Sequence, residues 1–270
     1  MSNGSNNRPS PQRIEIEERD GIAIVAFNRP DVRNAIDDAM RVEFGEVLDW
    51  VAREDSIRAM VLTGRGKSFC AGGDIAAMQE RLKAPAGKIA INGWQRQRRT
   101  HHAVANLHGL AKPTVAAVNG AAAGLGCDIA LCCDFIVASK PHASFVMSYV
   151  MRGLIPDGGG LYFLPRRVGL QRAKEMIFSA RKVDADEALA IGLADQLAEP
   201  ERLLDDAVDL ARRMTVGSAD AVALSKTILD QTFELQAEQV FALGAQAQAI
   251  CYTTEAHRSS VDDFIGKRSR

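Results

Sequence analysis

Cysteine is scarce and unpaired in this 270-residue chain. Its five residues, Cys70, Cys127, Cys132, Cys133 and Cys251, show no C-x-x-C spacing. An odd count among apolar neighbours argues against a disulfide framework or a metal site and reads as reduced thiols in a cytoplasmic protein. An excess of one charge is also missing. Lys and Arg total 33 against 34 Asp and Glu, a formal net charge of −1. The basic footprint of a nucleic-acid binder is therefore absent, which leaves a small molecule or a protein as partner. No apolar run approaches the roughly 20 residues of a membrane span. The opening "MSNGSNNRPSPQR" lacks the apolar stretch of a signal peptide, so residues 1–12 read as a polar, disordered tail. There is no repeat with a period of about 20–50 residues. No Pro/Gly/Ser linker divides the body. Neither G-x-x-x-x-G-K-[ST] nor G-x-G-x-x-G occurs, and "GRGKS" (64–68) lacks the Walker spacing.

What is present is ordinary globular material, 47% hydrophobic and 25% charged, enough for a large core. "GIAIVAFN" (21–28), "AMVLTG" (59–64), "TVAAVNG" (114–120) and "DFIVAS" (134–139) read as buried strands, with "ASFVMS" (143–148) as a further candidate. Residues 36–55 place Met40, Phe44, Val47, Leu48 and Val51 at helical spacing. Strand, helix and strand in succession predict βαβ units and an α/β class. After about residue 158 the chain turns mostly helical. "DADEALAIGLAD" carries an N-capping Asp184 and a stop at Gly192. The expected division is an α/β core over 13–195 and a helical part over 196–270. The basic segment 75–112 around Trp94 reads either as a surface helix or as a ligand-facing lid.

Two glycine loops, "AGGD" (71–74) and "NGAAAGLG" (119–126), each follow a buried strand. Glycine there permits left-handed backbone and close approach to a ligand. Two loops could aim backbone N–H groups at one developing anion, helped by the positive end of a helix starting near Gly124. Tight turns required only for packing are the other reading. A third stretch, "GLIPDGGG" (153–160), holds one aspartate on a glycine turn inside an apolar run. Asp157 is either a helix N-cap or a reactive carboxylate.

"SFCAGGDIAAM", "KPTVAAVNGAAAGLGCDIALCCDFIVAS", "GLIPDGGGLYFLPRRVG" and "DADEALAIGLAD" occur in that order. Together they resemble the crotonase superfamily, also called enoyl-CoA hydratase/isomerase, from about residue 13 to the C-terminus. The resemblance implies a superhelix of ββα turns, a spiral core with a helical C-terminal trimerisation region, and assembly as trimers or dimers of trimers. It implies an acyl-CoA substrate, with coenzyme A arriving as part of that substrate and no other cofactor. The thioester enolate would be held by two backbone N–H groups, which map here to Gly73 and Leu125.

The same resemblance sorts the acids. Family hydratases use two glutamates; this chain has Asp128 at the first position and Tyr149 at the second. A tyrosine, with an unperturbed pKa near 10, is a poor base for activating water, so the pattern argues against simple hydration. Asp157 occupies the place where some isomerases of the family carry an acid and where 4-chlorobenzoyl-CoA dehalogenases place a nucleophile. The expected activity is a double-bond shift, 3,2-enoyl or epoxyphenylacetyl in type. Hydration, dehalogenation and a non-catalytic binding role stay open. Asp128 could alternatively cap or pair within its helix, and Tyr149 could be an ordinary core aromatic. His101, His102, His108, His142 and His257 match no catalytic position and are expected at surface or satisfied sites. Arg33, Asn34, Ala35 and Ala71 correspond to segments that wrap CoA, and Tyr252, Phe264 and Lys267 to C-terminal residues that reach it. Lys267 could equally be part of a solvated basic tail. Leu125, Met147, Tyr149, Met151, Phe163 and Trp94 suggest an apolar acyl pocket.

Overall fold

A computed structural model describes residues 8–268, with side chains to residue 266. In chain order the elements are β1 Ile14–Arg19, β2 Ile22–Phe27, α1 Asp38–Arg53, β3 Ala59–Gly64, β4 Ser68–Cys70, α2 Ile75–Arg81, α3 Ala86–His108, β5 Thr114–Val118, β6 Ala121–Ala123, α4 Leu125–Cys132, β7 Phe135–Ser139 and β8 Ser144–Val146. There follow α5 Gly160–Val168, α6 Leu170–Ser179, β9 Val183–Asp184, α7 Ala185–Ala190, β10 Gln196–Ala198, α8 Leu203–Met214, α9 Ala219–Leu229, α10 Ala237–Cys251 and α11 Glu255–Arg268.

The strands form two sheets, ordered β1-β2-β3-β5-β7-β10 and β4-β6-β8-β9. β3 leads into β4, β5 into β6 and β7 into β8; each pair gives its first strand to the large sheet and its second to the small one. These are the expected ββα turns. Pairing along β2, β3, β5 and β7 is parallel. Such strands are covered on both faces, which is why they read as unbroken apolar runs. In β2, Ala23, Val25 and Phe27 point into the main core with α1 and α4. Ile22 and Ile24 point the other way, onto Leu203, Ala207, Val208 and Ala211 of α8.

The sheet thus runs past the expected boundary at 195, since β10 pairs with β7 and α8 covers the sheet. The arm that leaves this core is α9 to α11. Lys226 of α9 ties it back through a 2.7 Å ion pair with Asp134. Residues 1–7 of the expected tail lie outside the described residues. Among residues 8–12, Arg8 pairs with Glu18 and its guanidinium lies over Trp50. No described helix is long and apolar enough to cross a membrane.

Asn34, expected in the segment that wraps CoA, has a structural task of its own. Asn34 is fully buried, in a left-handed turn with Arg33, at φ of 57° and 54°. Its side-chain oxygen accepts from the Arg29 amide at 2.8 Å. Its Nδ2 donates to the carbonyls of Arg65 (2.9 Å), Ser68 (2.8 Å) and Phe69 (3.2 Å). The side chain is consumed in knotting the loop after β2 to β4. Asn34→Ala would leave these backbone groups unpaired, each at about 1–3 kcal/mol. The expected loss is roughly 3 kcal/mol or more, read as a melting point lower by about 6 °C or more. An unchanged melting point would refute this structural role.

Candidate active site

The first glycine loop follows β4. Gly72 has φ +93°, and a Cβ there would stand 2.6 Å from the Ala123 carbonyl and 3.2 Å from the Leu125 nitrogen. Only glycine allows this backbone-on-backbone approach. Gly73 forms a parallel bridge with Ile36. The Ile36 amide donates to the Gly72 carbonyl at 2.7 Å, and the Asp74 amide donates to the Ile36 carbonyl at 3.1 Å. Because neighbouring peptide groups alternate, the Gly73 N–H points to the opposite side. Asp74 fixes the loop from below: its carboxylate caps α2 at Ala76 and Ala77 and pairs with Arg29 at 3.0 Å.

The second donor is Leu125, the first residue of α4, whose N-cap Gly124 supplies no side-chain cap. Its N–H is one of the orphan donors of a helix start, at the positive end of the dipole. Both expected donors therefore lie in one place. Beside them, the Ala71 amide donates to the Arg33 carbonyl at 2.9 Å. That brings together two of the expected CoA segments, with Arg33 exposed and Ala71 half-buried. Ala35 is buried, and its carbonyl accepts from Arg29. Tyr252 and Phe264 are exposed on the C-terminal arm; the side chain of Lys267 lies outside the described residues.

Three further groups converge on the helix start. Asp128, in the first turn of α4, is completely buried. The Tyr149 hydroxyl donates to its Oδ2 at 2.6 Å, while Oδ1 has no hydrogen-bond partner. Burial pushes the Asp128 carboxyl up to about 7, against the pull of the Tyr149 hydroxyl and the nearby Gly160 amide; the charge of Asp157 adds an upward push. Burial, then the charge of Asp128, drives the Tyr149 phenol upward as well, so it is a hydrogen-bond donor and no base. The turn 157–160 roofs this pair. A Cβ on Gly160 would lie 2.4 Å from Asp128 Oδ1, and one on Gly158 would lie 2.7 Å from Oδ2. The glycines after Asp157 make room for a buried carboxylate.

Asp157 does not cap α5, whose N-cap is Gly159 without a side-chain bond. Its carboxylate is partly exposed, and Oδ2 lies 3.8 Å from Nε2 of His101. His101 is a surface histidine, as expected, but one that faces Asp157. It sits on α3, whose buried face carries Thr100, Ala103, Val104 and Leu107. The segment 75–112 is thus a surface helix with one face toward the site, and the histidine's position could have been found only from that register. Of the expected apolar pocket, Leu125 and Met147 are buried, and Phe163 packs under Gly159. Met151 and Trp94 are mostly exposed.

Known proteins resemble this chain over nearly its whole length. The family model described as enoyl-CoA hydratase/isomerase matches residues 17–270. The short-chain-enoyl-CoA hydratase of Clostridium acetobutylicum is 36% identical over 256 residues, 94% of this chain and 95% of that protein. The 1,2-epoxyphenylacetyl-CoA isomerase of Escherichia coli is 33% identical over 249 residues, covering 92% and 94%. The crystal structure of an enoyl-CoA hydratase/isomerase from Cupriavidus metallidurans superposes with a TM-score of 0.87 at 33% identity, covering 96% of this chain and 95% of that one.

The elevated Asp128 carboxyl has a consequence for stability. An unfolded aspartate titrates near 3.9. Between that pH and about 7, the folded chain holds a proton that the unfolded chain has released. Stability therefore falls as pH rises through this window, and the whole cost, up to about 4 kcal/mol, persists above it. Asp128→Asn keeps an acceptor for Tyr149 and removes the charge. It is expected to raise the melting point relative to the unsubstituted protein clearly more at pH 8 than at pH 5. Equal differences at the two pH values would show that Asp128 does not titrate in this way.

Proposed function

The chain belongs to the enoyl-CoA hydratase/isomerase family, the crotonase superfamily, and from that premise we propose that it moves a double bond within an acyl-CoA ester. The thioester oxygen sits between the N–H groups of Gly73 and Leu125. As a proton leaves the carbon chain, negative charge collects on that oxygen and the two donors hold it. Asp157 takes the proton and returns it at another carbon, the work of a single carboxylate on a mobile allylic anion.

The observation that carries this reading is the bond from Tyr149 to Asp128. The position where a hydratase would use its second carboxylate is filled by a phenol, and that phenol is spent on Asp128. Asp128 in turn is sealed beneath Gly158 and Gly160. Of the two acids, Asp157 alone is open to a substrate. Asp128 serves as a polar floor beneath the turn that carries Asp157. Hydration is the second reading, favoured by the carboxyl of Asp128 titrating near 7, in the range suited to a general base.

Assembly belongs to the same proposal. The arm α9 to α11 and its connections expose Leu229, Phe233, Phe241, Ile250 and Tyr252, with Phe233 79% and Phe241 73% exposed. Large apolar side chains grouped this way mark a protein interface, and we read it as the contact of a homotrimer or a dimer of trimers.

Two experiments test these statements. With 3-hexenoyl-CoA in D₂O the expected product has a moved double bond and no added water. Asp157→Asn should lower turnover by about 10²-fold or more while the CoA ester still binds. Near-normal turnover of Asp157→Asn would mean another base, and addition of heavy water to 2-hexenoyl-CoA would favour hydration. For assembly, sedimentation of the intact protein should give a trimer or hexamer, and Phe241→Ser should shift it toward monomer; a monomeric parent protein would refute the interface.

A further inference from the structure

Asp157 lies between two ionisable groups. On its inner side is Asp128, sealed beneath Gly158 and Gly160 and already bonded to Tyr149. On its outer side is His101, whose Nε2 stands 3.8 Å from Asp157 Oδ2. Among the described residues, no other basic side chain comes within ion-pair distance of Asp157.

The place of His101 follows from the packing of α3. His101, Val104 and His108 fall at i, i+3 and i+7, which is one stripe of a helix. Val104 meets the turn after Asp157: its Cγ1 lies 3.5 Å from where a Cβ on Gly159 would stand. The His108 ring packs edge-on against Phe163 of α5, with centroids 4.9 Å apart. Two positions of the stripe are thus pinned to the turn and to α5, and the same register delivers the third to the carboxylate. The pair itself is open, with the His101 side chain 52% exposed and that of Asp157 26% exposed. Such a pair adds little to stability. Openness instead lets the imidazole trade protons with water, which the sealed Asp128 cannot do.

A gap of 3.8 Å exceeds a hydrogen bond, but acid–base partners are often loose until substrate is bound. A free imidazole holds a proton more tightly than a free carboxylate, near 6.5 against 3.9. A proton newly taken by a carboxylate therefore runs downhill to a neutral imidazole beside it.

We infer that His101 is the relay through which Asp157 exchanges its proton with solvent during the double-bond shift. The carboxylic acid formed at Asp157 gives its proton to Nε2, leaving a carboxylate and an imidazolium. The imidazolium exchanges that proton for one from water and hands the new one back to Asp157, which delivers it to the second carbon. No electrons change hands and no co-reactant besides water is needed. This rests on the isomerase reading given above and adds a residue to it: the hydrogen gained by the product comes from water, although one carboxylate makes both transfers to and from carbon.

The origin of that hydrogen tests the relay. 3-Hexenoyl-CoA is converted in D₂O, and the 2-hexenoyl-CoA formed at early times is analysed by mass spectrometry. With the unsubstituted protein, most of the product should carry deuterium at the newly protonated carbon. His101→Gln keeps a polar, helix-compatible side chain without a titratable nitrogen; most of its product should retain the substrate's own hydrogen, and His101→Ala should do the same. A histidine that served only the fold would alter the rate and leave the source of the hydrogen unchanged. Unlabelled product from the unsubstituted protein, or equal labelling with His101→Gln, would overturn the relay and leave the isomerase reading standing. Absence of any double-bond shift in the unsubstituted protein would overturn both.

Discussion

The site depends on one contact between two stretches of backbone: Gly72 pressed against Ala123 and Leu125, with no room for a β-carbon between them. A backbone donor can be aimed only by fixing the chain on both sides of it, and this protein does so from opposite directions. Asn34, Arg29 and the Ile36–Gly73 bridge hold the first loop from the β2 side. β6 and α4 hold the second loop, and Gly126 brings α4 onto β4 so closely that a Cβ would lie 2.2 Å from the Cys70 carbonyl. The spiral of ββα turns makes this possible because β4 and β6 are neighbours in the small sheet. Each glycine loop leaves the end of one of these two strands, so the topology delivers the two N–H groups side by side.

The carboxylates obey a different constraint. Asp128 is stable as a buried group only because Tyr149 donates to it and because its burial favours the protonated form. Its place at the positive end of α4 helps whenever it ionises. The cost of keeping it there falls on the folded state, as is common for groups held in unfavourable surroundings at a reacting centre. The glycine run after Asp157 then has a double explanation. It leaves space for the carboxyl of Asp128, and it ends in a left-handed Gly159 that starts α5 without using Asp157 as a cap.

How far the sequence could be read follows from which signals are local. β2, β3, β5 and β7 were legible because strands buried on both faces are apolar throughout, and Asp184 and Gly192 marked the ends of α7 by cap chemistry alone. β4, β6 and β9 span two or three residues each; their identity comes from pairing partners far away in sequence, which no local pattern carries. The two glycine loops were legible because glycine spacing records close backbone approach, and the structure brings them together at Gly72, Ala123 and Leu125; Gly73 and Leu125 as donors follow from the resemblance to the family. The structural task of Asn34 was not legible, because the carbonyls its side chain ties down, Arg65, Ser68 and Phe69, lie more than 30 residues away in sequence. The nearness of His101 to Asp157 was not legible either, because it depends on the register of α3, a helix whose mean polarity hides its inner side.

The distribution of charge across the site joins these parts. The Leu125 amide opens α4 at its positive end, and Asp128 sits within the first turn of the same helix, beneath the turn that carries Asp157. An enolate reaction needs both: a field that favours an anion on oxygen and a base that is not itself silenced by that field. Sealing one acid beneath glycines and leaving the other open separates their environments, which is how two chemically identical groups acquire different roles.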